Sequence, residues 1–382
     1  MDAIKRLFDA QPVDSRWVSG LALAQGCAFL TALSATASTA LANRGASAPA
    51  WQSFFIYVLL GGFYVPYHAR QKSRESEADD ASGAGGHGTG FTEPAPPPPS
   101  SPPLSTGLTP QGTSSSSRTP ARYALLAFID TQANYWIVKA FRYTSLTSVT
   151  LLDCAAVPFS MALSIAILGS SYSRAHIAGG ALSFCGLALL VLTDTKSGGG
   201  SGGSNPPLGD FMVIVAAALY ASSNVLQERA LLEGASTSEV LAAIGGMGAV
   251  ISGIQCAVFE LKDLSKVGRA AGAEGFLEMA AFAVSLFAMY SLVPEVLRRS
   301  GSAAFNIGML SSDLWAVLAR VVFFAGFTAS SFLSFAASFV LVAFGTVVFA
   351  SAGDPLRLGG ERRREYEVLD EDLEDRPAPP PL

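Results

Sequence analysis

The chain has 382 residues, of which 50% are apolar and only 14% charged, against about a quarter charged in ordinary soluble domains, so lipid rather than water is the expected solvent. The net charge of −5 comes largely from the tail segment EYEVLDEDLEDR, and no basic stripe is present, which excludes nucleic acid as a partner. Cys27, Cys154, Cys185 and Cys256 all fall in apolar runs, which excludes a disulfide framework and a thiolate metal cluster; neither a metal nor a cofactor is expected.

A bilayer core of about 30 Å needs roughly 20 helical residues, and ten segments meet that length. Residues 1–16 form a cytosolic N-terminus. The first two segments, Trp17–Leu41 and Trp51–His68, occupy residues 17–70. STALA, ending at Ala42, offers a signal-peptidase pattern, but the apolar run before it is long for a signal and is interrupted by Gln25, so it is read as a retained span. Residues 71–121 are rich in Pro, Gly and Ser and nearly devoid of apolar side chains, which predicts a disordered cytosolic loop. Segments three to five, Tyr123–Phe141, Ser145–Gly169 and His176–Leu192, lie in residues 122–194. The linker at 195–207, containing SGGGSGGSNPP, reads as a flexible hinge. Segments six to ten, within 208–350, are Leu208–Leu231, Ser238–Phe259, Phe276–Leu297, Ser302–Phe324 and Phe327–Ala350, and a disordered cytosolic tail fills 351–382.

Basic residues stay on the cytosolic side of a membrane protein. With the N-terminus inside, the outer loops hold only Arg44, Arg142, Lys196, Lys262, Lys266 and Arg269; apart from Lys139 and Arg320, the other Lys and Arg are inside. Both termini are therefore expected in the cytosol. Because five is odd, a duplicated five-helix unit would enter the membrane from opposite sides in its two copies. The runs beginning SVTLLDC and AFNIGML show the same order of long helix, small-residue turn and Gly-bearing helix, with Gly186 falling near Gly345. The expected fold is all-α integral membrane, ten transmembrane helices as two inverted five-helix repeats with a binding site between them.

The third segment contains FIDTQANYWIVKAF, with Asp130 and Lys139 at membrane depth, where a charge costs about 2.5–3.5 kcal/mol on insertion scales and normally faces a bundle interior or a wet cavity. Nine residues place the two on opposite sides of one helix, about 13 Å apart along it, so they do not pair. Lys139 is read either as snorkelling to the headgroups or as lining a central cavity. Asn134 shares the face of Asp130. In the fourth segment Thr147, Thr150 and Asp153 share a face; in the sixth Tyr220, Asn224 and Glu228 form a line beside Ser223; the ninth carries Asn306, Asp313 and Arg320. Each has an alternative role as an interhelical hydrogen bond that merely holds the bundle. Gly245, Ala249 and Gly253 mark a close helix contact in the seventh segment, and Pro158 and Pro294 are candidate kinks.

Catalytic motifs are thin. No P-loop, H-E-x-x-H or G-x-S-x-G occurs, and His68, His87 and His176 are scattered. A membrane aspartyl enzyme would need two apposed carboxylates, for which Asp153 and Asp313 are the symmetric choice; the chain is read as a transporter, not an enzyme.

DTQANYWIVKAFRYTSLTSVTLLDC, GDFMVIVAAALYASSNVLQE, GGMGAVISGIQCAVFELKDL and YSLVPEVLRRSGSAAFNIGMLSSDLW together resemble solute carrier family 35, subfamily F, of the drug/metabolite transporter superfamily. The resemblance implies a ten-helix carrier of two inverted halves working by alternating access and related to nucleotide-sugar transporters. It also implies an acid pair in the third helix, of which this chain keeps Asp130, followed by Thr131 and Gln132. The intramembrane acids outnumber Lys139 and Arg320, whereas a nucleotide sugar brings phosphates that want Lys or Arg. The expected cargo is therefore a neutral or cationic organic solute, nucleobase-like if stacked on Tyr135, Trp136 or Tyr290. A nucleotide-sugar antiporter of the endomembrane system and a non-transporting receptor or scaffold are the alternatives. The candidate substrate-binding set is Asp130, Asn134, Tyr135, Lys139, Thr150, Asp153, Tyr220, Asn224, Glu228, Tyr290, Asn306 and Asp313. Membrane lipid surrounds the chain, in the endomembrane system or the plasma membrane. The candidate protein partners are a second copy and a sorting adaptor reading YEVL through Tyr366 and Leu369.

Overall fold

The computed structural model describes residues 15–44, 48–84, 119–140, 143–144, 149, 152–196, 205–260, 264–312, 314–315, 329–353 and 355. Every regular element among them is helical. In chain order these are α1 (Ser15–Asn43), α2 (Pro49–Ala84), α3 (Pro120–Ala140), α4 (Ala156–Leu163, continued by a π turn over Ser164–Leu168), α5 (Arg174–Lys196), α6 (Pro206–Leu232), α7 (Thr237–Phe259), α8 (Leu264–Met309) and α9 (Ala329–Ser351). Four stretches among the described residues are long and apolar enough to cross a membrane on their own composition: Val18–Ser38, Pro206–Leu232, Thr237–Phe259 and Gly272–Met309.

The side-chain distribution is that of a protein in lipid. On α7, Val250, Ile254 and Val258 are each 60% or more exposed, whereas Gly248, Ser252 and Gln255 on the opposite side are buried. Apolar groups outside and small or polar groups inside follow from a solvent that is itself apolar, where close packing and hydrogen bonds rather than hydrophobic burial join the helices.

The helices pack as pairs: α1 against α8, α2 against α7, α3 against α6, and α5 against α9, with α4 between α6 and α8. Glycines set the closest crossings. A Cβ on Gly61 would stand 3.0 Å from the Gly245 carbonyl, and Gly245 in turn abuts the Gly61 amide. At the α5–α9 crossing a Cβ on Gly186 would meet Val342 at 2.8 Å, while one on Gly345 would meet the Ser183 side chain. The two expected counterparts, Gly186 and Gly345, thus face reciprocal positions, Val342 and Ser183.

Element limits differ from expectation in three places. Residues 71–84, expected in the disordered loop, continue α2, because a helix already nucleated in the membrane propagates at little cost through good helix formers such as Gln71, Lys72, Arg74 and Glu75. α8 starts at Leu264, ahead of the expected Phe276, and breaks at Gly272 (φ 59°), while the boundary expected between the eighth and ninth segments falls at Gly301 (φ 81°), conformations that glycine adopts without a steric penalty. Pro158 sits in the first turn of α4, where its missing N–H is harmless.

Just past the end of α1, Glu278 and Glu274 bind Arg44, and their hydrogen bonds hold the guanidinium still further up in its charged form. Glu260, closing α7, accepts from Ala50 N and Trp51 N at the start of α2 (3.0 and 3.2 Å).

Candidate functional site

Asp130 lies midway along α3 and is 3% exposed. Three hydroxyls converge on it from three other helices. Tyr57 of α2 and Tyr290 of α8 donate to Oδ2 at 2.7 and 2.9 Å, and Ser223 of α6 donates to Oδ1 at 2.9 Å. One turn along α3, Asn134 Nδ2 donates to Tyr57 Oη at 2.7 Å and to Tyr290 Oη at 2.8 Å, while its Oδ1 accepts from Tyr220 of α6 at 3.1 Å. Gln227 Nε2 donates to Ser223 Oγ at 3.1 Å. Each hydrogen bond to a charged group is worth about 1.5–3 kcal/mol, so the three together offset the cost of a carboxylate at this depth.

The local sequence explains why these groups meet. Asp130 and Asn134 are four apart and share a face. Tyr57 is enclosed because α7 presents Gly248 to its ring, where a Cβ would come 2.6 Å from Cδ1. On the neighbouring face Thr131 bonds back to Ala127 O at 2.7 Å, and Gln132 accepts from Gln255 of α7 at 3.2 Å.

A second polar seam joins α6 to the turn after Gly301. Glu228, 2% exposed, accepts from Ser302 N at 2.7 Å. An anion there satisfies an amide at a helix start and complements its partial positive charge. Asn224 Nδ2 donates to Asn306 Oδ1 at 3.2 Å, and Ser302 Oγ meets Ser164 Oγ of the π turn at 3.0 Å.

A profile of solute carrier family 35, of its F branch, matches residues 117–351, more than half of the chain and all of the helices that build these seams except α2. The chain belongs to solute carrier family 35, subfamily F. This carrier is 36% identical to mouse solute carrier family 35 member F2 over 197 residues, 51% of this chain and 52% of the mouse protein. It is 33% identical over 231 residues, 60% of this chain and 44% of the other, to an uncharacterized solute carrier family 35 member of Schizosaccharomyces pombe. The chain thus spans about half the length of the curated relatives it matches. A solved crystal structure covers 87% of this chain and 96% of its own with a TM-score of 0.60 at 14% identity, a likeness of fold.

The subfamily F carrier distributes its sequence-selected residues over separate places. Asp130, Asn134, Tyr220 and Tyr290 form the first cluster, and Asn224, Glu228 and Asn306 the second. Lys139 donates to Tyr135 Oη at 3.1 Å and lies 5.1 Å from that ring's centroid, beside Phe259, the last residue of α7. Tyr135 and Lys139 therefore sit toward the C-terminal end of α3, apart from Asp130. Asp153 stands within electrostatic reach of Tyr220, and its Oδ1 is buried without a hydrogen-bond partner. Thr147, Thr150, Asp313, Arg320, Tyr366 and Leu369 lie outside the described residues. Tyr57, Gln227, Gln255 and Ser302 were absent from the sequence-derived set. Tyr57 lies in the aromatic run FFIYVLLGGFYVPY, where nothing separates one inward tyrosine from its lipid-facing neighbours. The polar interior expected around a vestibule is, at Asp130 and Asn134, a set of side chains that satisfy one another.

Proposed function

We propose that the protein is a secondary-active transporter that moves a small neutral or cationic organic solute by alternating access between two inverted five-helix halves. One observation carries this reading: the Asp130 cluster draws α2 and α3 from the first half and α6 and α8 from the second into one polar knot at mid-membrane depth. A structural hydrogen bond in a bundle needs one or two partners, whereas this knot spans the division along which carriers built from inverted repeats rock.

Helix pairing supports the inverted repeats. If segments one to five correspond to six to ten, an exchange of halves turns the α3–α6 pair into the α8–α1 pair. It maps the α2–α7 and α5–α9 pairs onto themselves, and all four are present. The reciprocal seats of Gly186 and Gly345 fit the same exchange. Both termini are placed in the cytosol by the distribution of Lys and Arg.

Solute class follows from charge. Among the described residues the ionisable groups away from the helix ends include the acids Asp130, Asp153 and Glu228, with Lys139 near the end of α3, a set that disfavours phosphate. The unpartnered Oδ1 of Asp153 is a charged acceptor available to a solute N–H or cation. Counterflow in proteoliposomes of the full chain tests this, with labelled nucleobases, heteroaromatic cations and nucleotide sugars offered in parallel. Uptake of the first or second class without the third is expected. Uptake of nucleotide sugars alone overturns the solute class, and no flux of any class from folded protein favours the non-transporting reading.

A further inference from the structure

The hydrogen bonds around Asp130 all run one way. Tyr220 donates to Asn134 Oδ1, Asn134 Nδ2 donates to the oxygens of Tyr57 and Tyr290, and both phenols donate to Asp130 Oδ2. On the other oxygen, Gln227 donates to Ser223 and Ser223 to Oδ1. Every chain of donors ends on the carboxylate, which is purely an acceptor when ionised and turns one oxygen into a donor when protonated. A neutral acid adds one donor and removes acceptor capacity, and each oxygen next to it already accepts one bond while pointing its own hydrogen at Asp130. A proton on Oδ2 leaves that oxygen with less acceptor capacity for the two phenols that share it, and one phenol must turn away or leave.

Resting on the carrier reading above, we propose that a proton is the coupling ion, that it binds Asp130, and that its binding unlatches α3 from α2 and α8. The proton adds to a carboxylate oxygen and no covalent bond breaks. The groups that face this carboxylate are hydroxyls and amides: Tyr57 from α2, Ser223 and Tyr220 from α6, Tyr290 from α8, and Asn134 on α3 itself. From α7 the packed residue is Gly248 against Tyr57. Other charged groups among the described residues have partners of their own or lie to one side: Glu228 of α6 accepts from Ser302 N, Glu239 of α7 from Tyr123, Lys139 donates to Tyr135, and Asp153 lies toward Tyr220. Among the described residues no cation bonds Asp130, and the hydroxyl cage opposes the proton.

The test needs no solute. Infrared spectra of the full chain in vesicles, taken as pH is lowered, should develop the C=O band of a protonated carboxylic acid that Asp130→Asn abolishes and Asp153→Asn retains. Opening is read at the native Cys256, buried on α7 next to the Gln255 that bonds Gln132 of α3, with the other three cysteines changed to Ala. Maleimide labelling of Cys256 at high pH should be about tenfold faster in Asp130→Asn than in its parent, the equivalent of one lost charge-assisted hydrogen bond, and the two rates should converge as pH falls. Absence of the band, its loss in Asp153→Asn instead, or equal labelling at every pH overturns the proposal. Should Asp130→Asn fail to fold, Tyr57→Phe and Tyr290→Phe decide. Each removes one donor to the anion and should move the half-point of the band upward by about one pH unit, and an unmoved half-point refutes the latch. A chain that titrates in this way but carries nothing refutes the carrier reading alone; a chain that carries solute without this titration refutes the proton latch alone.

Discussion

Gly248→Ala should prise Tyr57 away from Asp130. A methyl group at 248 would meet Tyr57 Cδ1 at 2.6 Å and Cγ at 2.9 Å, and the ring is fully enclosed, so relief requires the tyrosine to move. Its hydroxyl is fixed 2.7 Å from Asp130 Oδ2, and a ring displaced by the methyl carries that hydroxyl with it. Overpacking a filled core costs about 1–3 kcal/mol. Losing a hydrogen bond to a charged group costs about 1.5–3 kcal/mol. Gly62→Ala is the control on the same pair of helices. A Cβ there meets nothing within 4 Å, so only backbone propensity changes, by about 0.5–1 kcal/mol in favour of Ala. Thermal melting of the purified full chain should rank Gly248→Ala well below the parent and Gly62→Ala level with it or above. In a Tyr57→Phe background, which already lacks the hydroxyl, the penalty at 248 should shrink by the hydrogen-bond share, a coupling that a double-mutant cycle measures. Equal melting of the two glycine variants, or a cycle with no coupling, would refute the claim that α7 positions the phenol.

Glu228→Ala leaves the Ser302 amide buried without its partner and should cost about 1–3 kcal/mol, whereas Glu228→Gln keeps an acceptor and should cost less; melting curves of the two variants give the order. Gly345→Ala pushes a methyl into the Ser183 side chain and the Gly179 carbonyl, so it should destabilise by about 1–3 kcal/mol, and trimming Ser183 to Gly in the same chain should restore part of the loss. Lys139→Met keeps the aliphatic stem on Tyr135 and Phe259 and removes a cation–π contact worth about 0.5–1 kcal/mol at an exposed site; its melting temperature should change little, and a collapse like that expected for Asp130→Ala would mean that Lys139 reaches further inward than its aromatic seat.

The ladder of apolar segments was legible because lipid demands long apolar runs with few charges, and α3, α5, α6, α7 and α9 begin and end within a few residues of the limits read from hydropathy. Joints were harder to read. The boundary expected between Leu297 and Ser302 falls at Gly301, but the break at Gly272, one glycine among 37, shows only in its positive φ. Half of the Asp130 cluster could be read from local spacing, since Asp130 with Asn134, and Tyr220 with Asn224, recur at helical intervals. The other half is held by contacts distant in sequence: Tyr57 and Tyr290 are brought together by the packing of α2 against α8, and no periodicity within one segment encodes which tyrosine turns inward. The two readings left open for Lys139 were separable only by geometry, because a snorkelling lysine and a cavity lysine have the same sequence context.

The neutral character of the Asp130 cage bears directly on whether such a site can switch. Separating a buried carboxylate from an arginine or lysine costs about 3–5 kcal/mol, because an uncompensated charge is left behind, and a carrier would have to meet that cost in each cycle. A single hydroxyl donor contributes about 1.5–3 kcal/mol, and a difference of one pH unit is worth about 1.4 kcal/mol. A proton gradient of one to two units therefore matches the loss of one phenol from Asp130, so the cage lies in the range where a modest gradient selects between latched and released states. An ion pair at the same place would hold the halves shut. Lys139 lies nine residues beyond Asp130 and is engaged by Tyr135 and Phe259, which leaves the carboxylate to its hydroxyls and keeps the latch weak enough to open.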